Sequence, residues 1–281
     1  MTRLKDMTAL RPMKIAEDVL RVPQEGAVTA TMTNKEKAIA LLKTIETQSL
    51  DTGLINAERF IHHTVRKRDG IAGLMDFLLA APKGTSRATP VRVIQDDDYV
   101  CLHTDFDFYG PHIGFDVMRF EDGKVVEMWD CIQARARPNP SGRTMIDGAT
   151  DIADRDKTEE NKRTVRRFVE DVFVNDRPEA IAEYCREHLV QHDPHIADGV
   201  VAARVSLEAR RAAGSPVTYD TIHKVLGEGN FVLTISEGRV AGQHSALFDL
   251  FRVDDGTIVE HWDVIEPIAP KAEWKNTKGR F

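Results

Sequence analysis

Cysteine and positive charge are both scarce in this 281-residue chain, and each scarcity argues against a class of protein. The three cysteines, Cys101, Cys131 and Cys185, are odd in number and far apart, so they fit neither a disulfide framework nor a CxxC metal motif. We interpret them as reduced packing residues. Acidic residues outnumber Lys and Arg by 45 to 38, and the net charge of −7 disfavours a nucleic-acid surface, which requires clustered positive charge.

Long apolar runs are lacking as well. Residues 1–10 contain Arg3, Lys5 and Asp6 and lead into no apolar run, so the sequence predicts neither a secretory signal nor a membrane-spanning helix. A composition of 42% hydrophobic and 30% charged residues is typical of a soluble globular protein. We therefore expect a cytoplasmic protein with neither a membrane nor a nucleic acid as partner.

One sequence unit is present twice. FDVMRFEDGKVVEMWDCIQ at 115–133 returns as FDLFRVDDGTIVEHWDVIE at 248–266, with ten of nineteen positions identical. FIHH at 60–63 returns as LVQH at 189–192. We therefore predict two domains of similar fold in one chain. The expected segments are an N-terminal arm (1–33), a first domain (34–133), a linker (134–157), a second domain (158–268) and a C-terminal tail (269–281).

Within each unit the helical patterns come first and the strand patterns follow. Thr33 with Glu36, and Asp156 with Glu159, have the spacing of a capping box ahead of apolar residues at helical intervals. A further helix is expected after the Asp-Gly pair of each unit. The remainder consists of β-rich runs broken by acidic turns. Helices on one side of an antiparallel sheet make an α+β domain.

The register of the last hairpin decides which polar residues meet. If 254–256 is a three-residue loop with its glycine at positive φ, Asp249 lies opposite His261, and both share one face with Asp263. A two-residue loop would send Asp263 to the other face. We favour the longer loop because it explains the glycine.

The strands of this hairpin are largely apolar on both faces. An antiparallel sheet with one wet face would alternate more cleanly. We therefore expect one face to line an interior covered by helices and the other to pack, sheet against sheet, on the companion half. The two halves would then form an internal pseudo-dimer.

Aspartates among apolar strand neighbours are candidates for proton transfer, because desolvation raises the pKa of a carboxyl towards neutrality. The strands carry Asp249 and Asp263 in the second unit and Asp116 and Asp130 in the first. The alternative is that each only bonds to the adjacent strand or to a nearby arginine.

A second group of candidates lies in LVQHDP at 189–194. If this stretch is extended, Val190 and His192 share one side, and Gln191 and Asp193 take the other. His192 and Asp193 are therefore alternatives, and only one of them would face the interior.

These residues carry a resemblance to a known superfamily. DVMRF at 116–120 with VVEMWD resembles the closing hairpin of ketosteroid isomerases, and VQHDPHIADG at 190–199 with the second hairpin is similar to SnoaL-like polyketide cyclases. Both groups belong to the nuclear-transport-factor-2-like superfamily. The resemblance implies two tandem cone-shaped domains, each a curved antiparallel sheet closed by helices around an apolar pocket.

The resemblance also implies roles. The isomerase acid that bonds the developing oxyanion corresponds to Asp249 and Asp116. The isomerase base falls at His192 or Asp193, and the apolar Val190 favours the His192 side, with His63 as its first-unit equivalent.

The function expected from this site is acid/base chemistry on a small apolar carbonyl compound, such as an aldol cyclisation or an isomerisation, with no metal and no cofactor. His261 and Asp263 would tune the pKa values of the second site, and His63, Asp116 and Asp130 are the equivalent residues of the first. The alternative is a small-molecule binding protein of the same fold with no reaction.

Overall fold

The computed structural model describes residues 32–281, so most of the expected N-terminal arm lies outside the described residues. Each half contains helices and one five-stranded sheet, which confirms the α+β class. The α-helices are α1 (Asn34–Leu42), α2 (Thr44–Thr47), α3 (Gly70–Ala80), α4 (Thr158–Val169), α5 (Ile181–Tyr184) and α6 (Val200–Ala212). The strands are β1 (Ile61–His62), β2 (Arg87–Asp96), β3 (Tyr99–Asp107), β4 (Pro111–Glu121), β5 (Lys124–Ala134), β6 (Cys185–Gln191), β7 (Val217–Glu228), β8 (Phe231–Val240), β9 (Gln243–Asp254) and β10 (Thr257–Pro267).

The two sheets have the same strand order. It is β1-β5-β4-β3-β2 in the first half and β6-β10-β9-β8-β7 in the second. Strands β1 and β6 run parallel to β5 and β10, whereas the other neighbours are antiparallel. The sheets are therefore mixed and not purely antiparallel as expected. The chain between β1 and β5 includes a helix and three strands, which is long enough for the parallel pairing.

The helix starts follow the sequence signals in three of four cases. Thr33 and Glu36 form the predicted capping box of α1, with the Thr33 N–H donating to Glu36 Oε2 at 2.7 Å. Helix α3 begins at the glycine of the first Asp-Gly pair, and α6 begins directly after the second pair. The capping box predicted for Asp156 is wrong, because α4 begins at Thr158 without a side-chain cap and Asp156 lies in a preceding 3₁₀ turn.

The turn of the last hairpin is shorter than predicted. Asp254 pairs with Thr257, so the loop is the two residues Asp255 and Gly256, at φ values of 50° and 72°. Two consecutive residues at positive φ are typical of the type I′ turn, whose twist matches that of the strands. The predicted three-residue loop is therefore wrong.

A bulge in β10 nevertheless keeps the polar residues on one face. The register shifts between Ile258 and Glu260, after which Asp263 lies directly opposite Asp249. The predicted pairing of Asp249 with His261 is wrong by two residues, since His261 pairs with Phe251. All three polar side chains still face the same cavity. The extra residue of the bulge reverses the change of face that a two-residue turn would have caused.

Three buried clusters form the core of residues 32–281. One lies between the helices and the sheet of the first half, and another occupies the same place in the second half. The third contains large side chains from both sheets, including Phe115 and Trp129 of the first and Phe248 and Trp262 of the second. Each sheet is therefore buried on both faces, which explains why its strands are apolar on both sides.

Cys101, Cys131 and Cys185 are free and buried. Among residues 32–281, no helix is long and apolar enough to cross a membrane.

Candidate functional site

A cavity of about 670 Å³, including its open mouth, lies between the helices and the sheet of the second half. Its lining is mainly aliphatic and aromatic, with Phe168, Phe173, Leu189 and Phe251 among its members. The polar groups that line it are Gln191, Asp193, Arg210, Tyr219, Asp249, His261 and Asp263. An apolar cavity with a few convergent polar groups is the usual form of a small-molecule site.

Asp249 lies deep in this cavity and is held by two ring side chains. The Tyr219 hydroxyl donates to its carboxylate, with O···O distances of 3.0 and 2.9 Å. Burial and then the charge of Asp249 raise the pKa of Tyr219 well above its ordinary value, so the phenol keeps its proton. His261 Nε2 lies 3.2 Å from Asp249 Oδ1. Asp249 is therefore positioned by donors on two other strands of the sheet.

The hydrogen bonds of Gln191 fix the protonation of His261. Gln191 Oε1 accepts the backbone N–H groups of His192 and Asp193 at 3.0 and 3.1 Å. The same oxygen lies 2.8 Å from His261 Nδ1, which must therefore carry a proton. Burial alone would lower the pKa of His261, but the surrounding carboxylates, Asp249 first, raise it. The imidazolium form donates from both nitrogens.

Asp263 lies in surroundings that favour its neutral form. Its side chain is buried, and Oδ1 has no hydrogen-bond partner. Burial, followed by the charge of Asp193, raises the pKa of Asp263 well above its ordinary value. A neutral carboxyl in an apolar cavity can donate a hydrogen bond or a proton at neutral pH.

Asp193 has a different environment in the same cavity. Its Oδ1 accepts the backbone N–H of His195 at 2.6 Å, in the turn that contains Pro194. Asp193 and Asp263 therefore form a pair of buried carboxyls, one an acceptor and one held neutral.

His192 lies outside this cavity, so the prediction that it faces inward is wrong. Its Nδ1 is 2.7 Å from the carbonyl oxygen of Thr144, and its Nε2 is 3.0 Å from Glu260 Oε1. The ring stacks on Trp262 at 4.7 Å. The error came from Val190, which is only partly buried. Leu189 and the two residues that alternate with it, 191 and 193, line the cavity instead.

The match to a family model lies in the second half of the chain. Residues 165–261 match the model of the SnoaL-like domain. The second half therefore carries the match, and we refer to it below as the SnoaL-like domain. The matched range contains every polar residue of the cavity except Asp263. The identical strand order of the first half fits a second copy in tandem.

Several solved structures resemble parts of the chain. A protein assigned as a polyketide cyclase from Acidithiobacillus ferrooxidans is 15% identical over 38% of this chain and 88% of its own, with a TM-score of 0.32. An LEH-like epoxide hydrolase from M. tuberculosis is 23% identical over 39% and 85%, with a TM-score of 0.31. A protein assigned as a ketosteroid isomerase from Kribbella flavida is 14% identical over 41% and 83%, with a TM-score of 0.33. No curated protein matches the sequence.

The first half has a smaller cavity than the SnoaL-like domain, of about 440 Å³ including its mouth. Asp116 and Asp130 line it, as predicted for the equivalents of Asp249 and Asp263. His63 does not, because its Nε2 lies 2.9 Å from Glu127 and its ring stacks on Trp129. The expected place of His63 in the site is therefore wrong for the same reason as that of His192.

The charge states of the two first-half aspartates differ. Burial, and then the charge of Asp130, raises the pKa of Asp116 well above its ordinary value. Burial opposes the ionisation of Asp130, but Lys67 and other nearby donors hold its pKa below the ordinary range. The neutral acid is therefore on β4 in the first half, whereas in the SnoaL-like domain it is on β10.

The sequence reasoning missed several polar cavity residues, among them Gln191, Arg210 and Tyr219 in the SnoaL-like domain and His62 and Lys67 in the first half. Gln191 could have been found, because it shares the cavity side of β6 with Asp193. Tyr219 on β7 reaches Asp249 on β9 across one intervening strand, β8, and no local pattern marks it. Among residues 32–281, no group of three or more His, Cys, Asp or Glu is arranged to hold a metal ion.

Proposed function

We propose that the SnoaL-like domain catalyses cofactor-free acid/base chemistry on a small, mainly apolar, enolisable carbonyl compound, by an aldol-type cyclisation or an isomerisation. One observation carries the proposal. Asp263, which is held neutral, and Asp193, which accepts a backbone N–H, line the same apolar cavity. Two carboxyls in contrasting environments are the arrangement that divides acid and base roles between like groups.

The proposed reaction begins with proton removal by Asp193. Its free carboxylate oxygen takes a proton from the carbon next to the carbonyl, and the electron pair moves towards the carbonyl oxygen. Asp263 donates to that oxygen as negative charge develops, and the apolar walls strengthen this hydrogen bond by excluding water. The cluster of Tyr219, His261 and Asp249 sets the electrostatic environment of the acid, since Asp249 raises and His261 lowers the pKa of Asp263.

Hydrogen exchange in D₂O tests this function without knowledge of the final product. Enolisable probes, such as 2-tetralone, a β-diketone and a steroid enone, are incubated with the protein, and loss of the α-proton signal is followed by ¹H NMR. We expect the wild type to accelerate exchange of at least one probe, and Asp193→Asn to abolish this acceleration. A probe that binds but exchanges no faster than in buffer would favour the alternative, a binding protein without a reaction.

We also propose that the two halves, with boundaries at 34–133 and 158–268, form an internal pseudo-dimer. The shared cluster of large side chains between the sheets supports this pairing. Because both partners belong to one chain, the contact does not depend on protein concentration.

Reciprocal contacts support a pseudo-two-fold arrangement of the halves. Arg92 of the first half lies over the ring of Trp262 at 4.1 Å, and Lys224 of the second half lies over the ring of Trp129 at 4.3 Å. Reciprocity of this kind is the mark of a two-fold interface. In ¹⁵N relaxation, we expect one rotational correlation time for both halves. Two shorter, separate correlation times would contradict the pairing.

A further inference from the structure

Two short segments with the same motif, N-x-x-G-R, lie outside the sheets; we call them the first strap (139–143) and the second strap (276–280). The asparagine side chain of the first strap donates to the carbonyl of Gln191 at 2.7 Å, in the second half. The asparagine side chain of the second strap donates to the carbonyl of His62 at 3.3 Å, in the first half. Each half therefore holds the strap that follows the other half.

The arginines of the two straps have different partners. Arg143 is half exposed and pairs with Asp198 at 3.1 Å. Arg280 is buried, with its guanidinium 3.6 Å from Asp130 Oδ1 and bonded to the Asp130 carbonyl oxygen. Asp130, the counterpart of Asp263, is therefore kept as a carboxylate. Lys67 first, and Arg280 of the second strap with it, lower the pKa of Asp130, so the neutral acid of the first cavity is Asp116 and not the counterpart of Asp263.

The first cavity also lacks a free base. Thr64 stands where the SnoaL-like domain has Asp193, and its hydroxyl donates to Asp130 Oδ1. Lys67 Nζ lies 3.4 Å from the other oxygen of Asp130. The carboxylate in this cavity is thus engaged on both oxygens, and we expect it to be a poor proton acceptor.

Two hydrogen-bond donors remain without partners in the first cavity. His62 Nδ1 accepts the backbone N–H of Thr64 at 3.1 Å, so the proton of the neutral ring is on Nε2. Burial, and then Lys67, lowers the pKa of His62 to about 3, which keeps the ring neutral. His62 Nε2 and Asp116 Oδ2 are both buried with no partner. Since the pKa of Asp116 is raised, its carboxyl also carries a proton.

From this geometry we propose that the first cavity is a second ligand site, which binds an uncharged, mainly apolar ketone through His62 Nε2 and Asp116 and does not turn it over. Buried donors without an acceptor are destabilising, by about 1–3 kcal/mol each, and a carbonyl oxygen has two lone pairs with which to accept such donors. The apolar walls, including Leu41, Phe77 and Phe106, match the rest of such a ligand. The proposal does not depend on a reaction in the SnoaL-like domain.

The test uses 1-indanone as the probe and indane, which lacks the oxygen, as its matched control. The full chain is labelled with ¹⁵N-histidine, so that the Nε2 signal of His62 reports on this cavity alone. We expect saturable shifts of that signal with 1-indanone and about tenfold weaker binding of indane. Asp116→Asn retains an N–H donor and should bind the ketone, whereas Asp116→Leu should bind it about tenfold more weakly.

Three results would overturn the inference. The first is no shift of the His62 signal at a probe concentration that saturates the SnoaL-like cavity, and the second is equal affinity for indane and 1-indanone. The third is α-proton exchange of 1-indanone that survives in Asp193→Asn, because turnover would then take place in the first cavity. If Asp116→Leu fails to fold, His62→Phe removes the other donor, and its ¹H-detected affinity for the two probes gives the same comparison.

Discussion

Replacement of Asp193 by asparagine is expected to lower kcat for an enolisable ketone by about 10²–10⁴-fold, the usual contribution of a positioned general base. The amide cannot accept the α-proton. Its carbonyl oxygen can still accept the N–H of His195, as Asp193 Oδ1 does at 2.6 Å, so the local turn should persist. Steady-state kinetics together with thermal unfolding of the variant would separate the loss of rate from a loss of fold.

The matched control is the substitution His192→Phe. His192 is next to Asp193 in sequence, but its side chain lies on the face of the sheet away from the cavity. Phenylalanine can retain the stacking on Trp262 but loses the hydrogen bonds to Thr144 and Glu260. We expect little change in kcat and a lower free energy of unfolding, by about 1–3 kcal/mol for the unpaired buried groups. A large loss of kcat in His192→Phe with normal turnover in the Asp193 variant would reverse our assignment of the base.

Asp263→Asn is expected to remove the pH dependence that the neutral acid confers. In the wild type, kcat/KM should fall as the pH rises through the raised pKa of Asp263, because the ionised group cannot donate to the developing oxyanion. The asparagine variant still donates a hydrogen bond, but an amide is a weaker acid than a neutral carboxyl, so its kcat/KM should be lower. Its kcat/KM should also lack the fall at high pH. Profiles of kcat/KM against pH for both proteins would provide the comparison.

The contribution of Asp263 to the free energy of unfolding should also decrease as the pH rises. Because the folded-state pKa of Asp263 is raised, its contribution is present below the unfolded pKa and is lost as the pH rises through the folded value. A tenfold difference between the acid dissociation constants of the folded and unfolded states corresponds to about 1.4 kcal/mol of stability. The free energy of unfolding of Asp263→Asn, relative to that of the wild type, should therefore be higher at pH 8 than at pH 4. Urea unfolding of both proteins at the two pH values measures this difference.

Asp130→Asn provides a control of opposite sign at the equivalent strand position. The folded-state pKa of Asp130 is lowered, so its contribution is present above the unfolded pKa and is lost as the pH falls through the folded value. The variant should therefore be destabilised most at neutral pH, where Lys67 and Arg280 would face an uncharged amide. The same response in both variants would contradict the different charge states of the two cavities.

The repeat and the alternation of strand residues predicted much of the fold. Ten identities in nineteen positions indicated two units of one architecture, and both sheets have the same strand order. The alternation also placed Asp249, His261 and Asp263 on one face, as they are found. That agreement depended on two errors that cancelled, because the turn is one residue shorter than predicted and the bulge in β10 adds one residue.

The assignment of the site was weaker because it depended on contacts between distant parts of the chain. Val190 is apolar but only partly buried, so it did not mark the cavity side of β6. The partners of His192 include Thr144, in the segment between the halves, and no strand pattern could have placed it there. The hydroxyl of Tyr219 and the guanidinium of Arg280 likewise act on carboxylates far away in sequence.

The presence of both sheets in one chain has a consequence for how such a molecule can diversify. In a two-fold homodimer a single codon serves both protomers, so any substitution enters both cavities together. Here Thr64 and Asp193 occupy equivalent positions but are encoded separately. The faces between the sheets both carry a tryptophan, Trp129 and Trp262, whereas the cavities differ in the charge of Asp130 and Asp263. A substitution in one cavity of such a chain therefore leaves the other cavity unchanged.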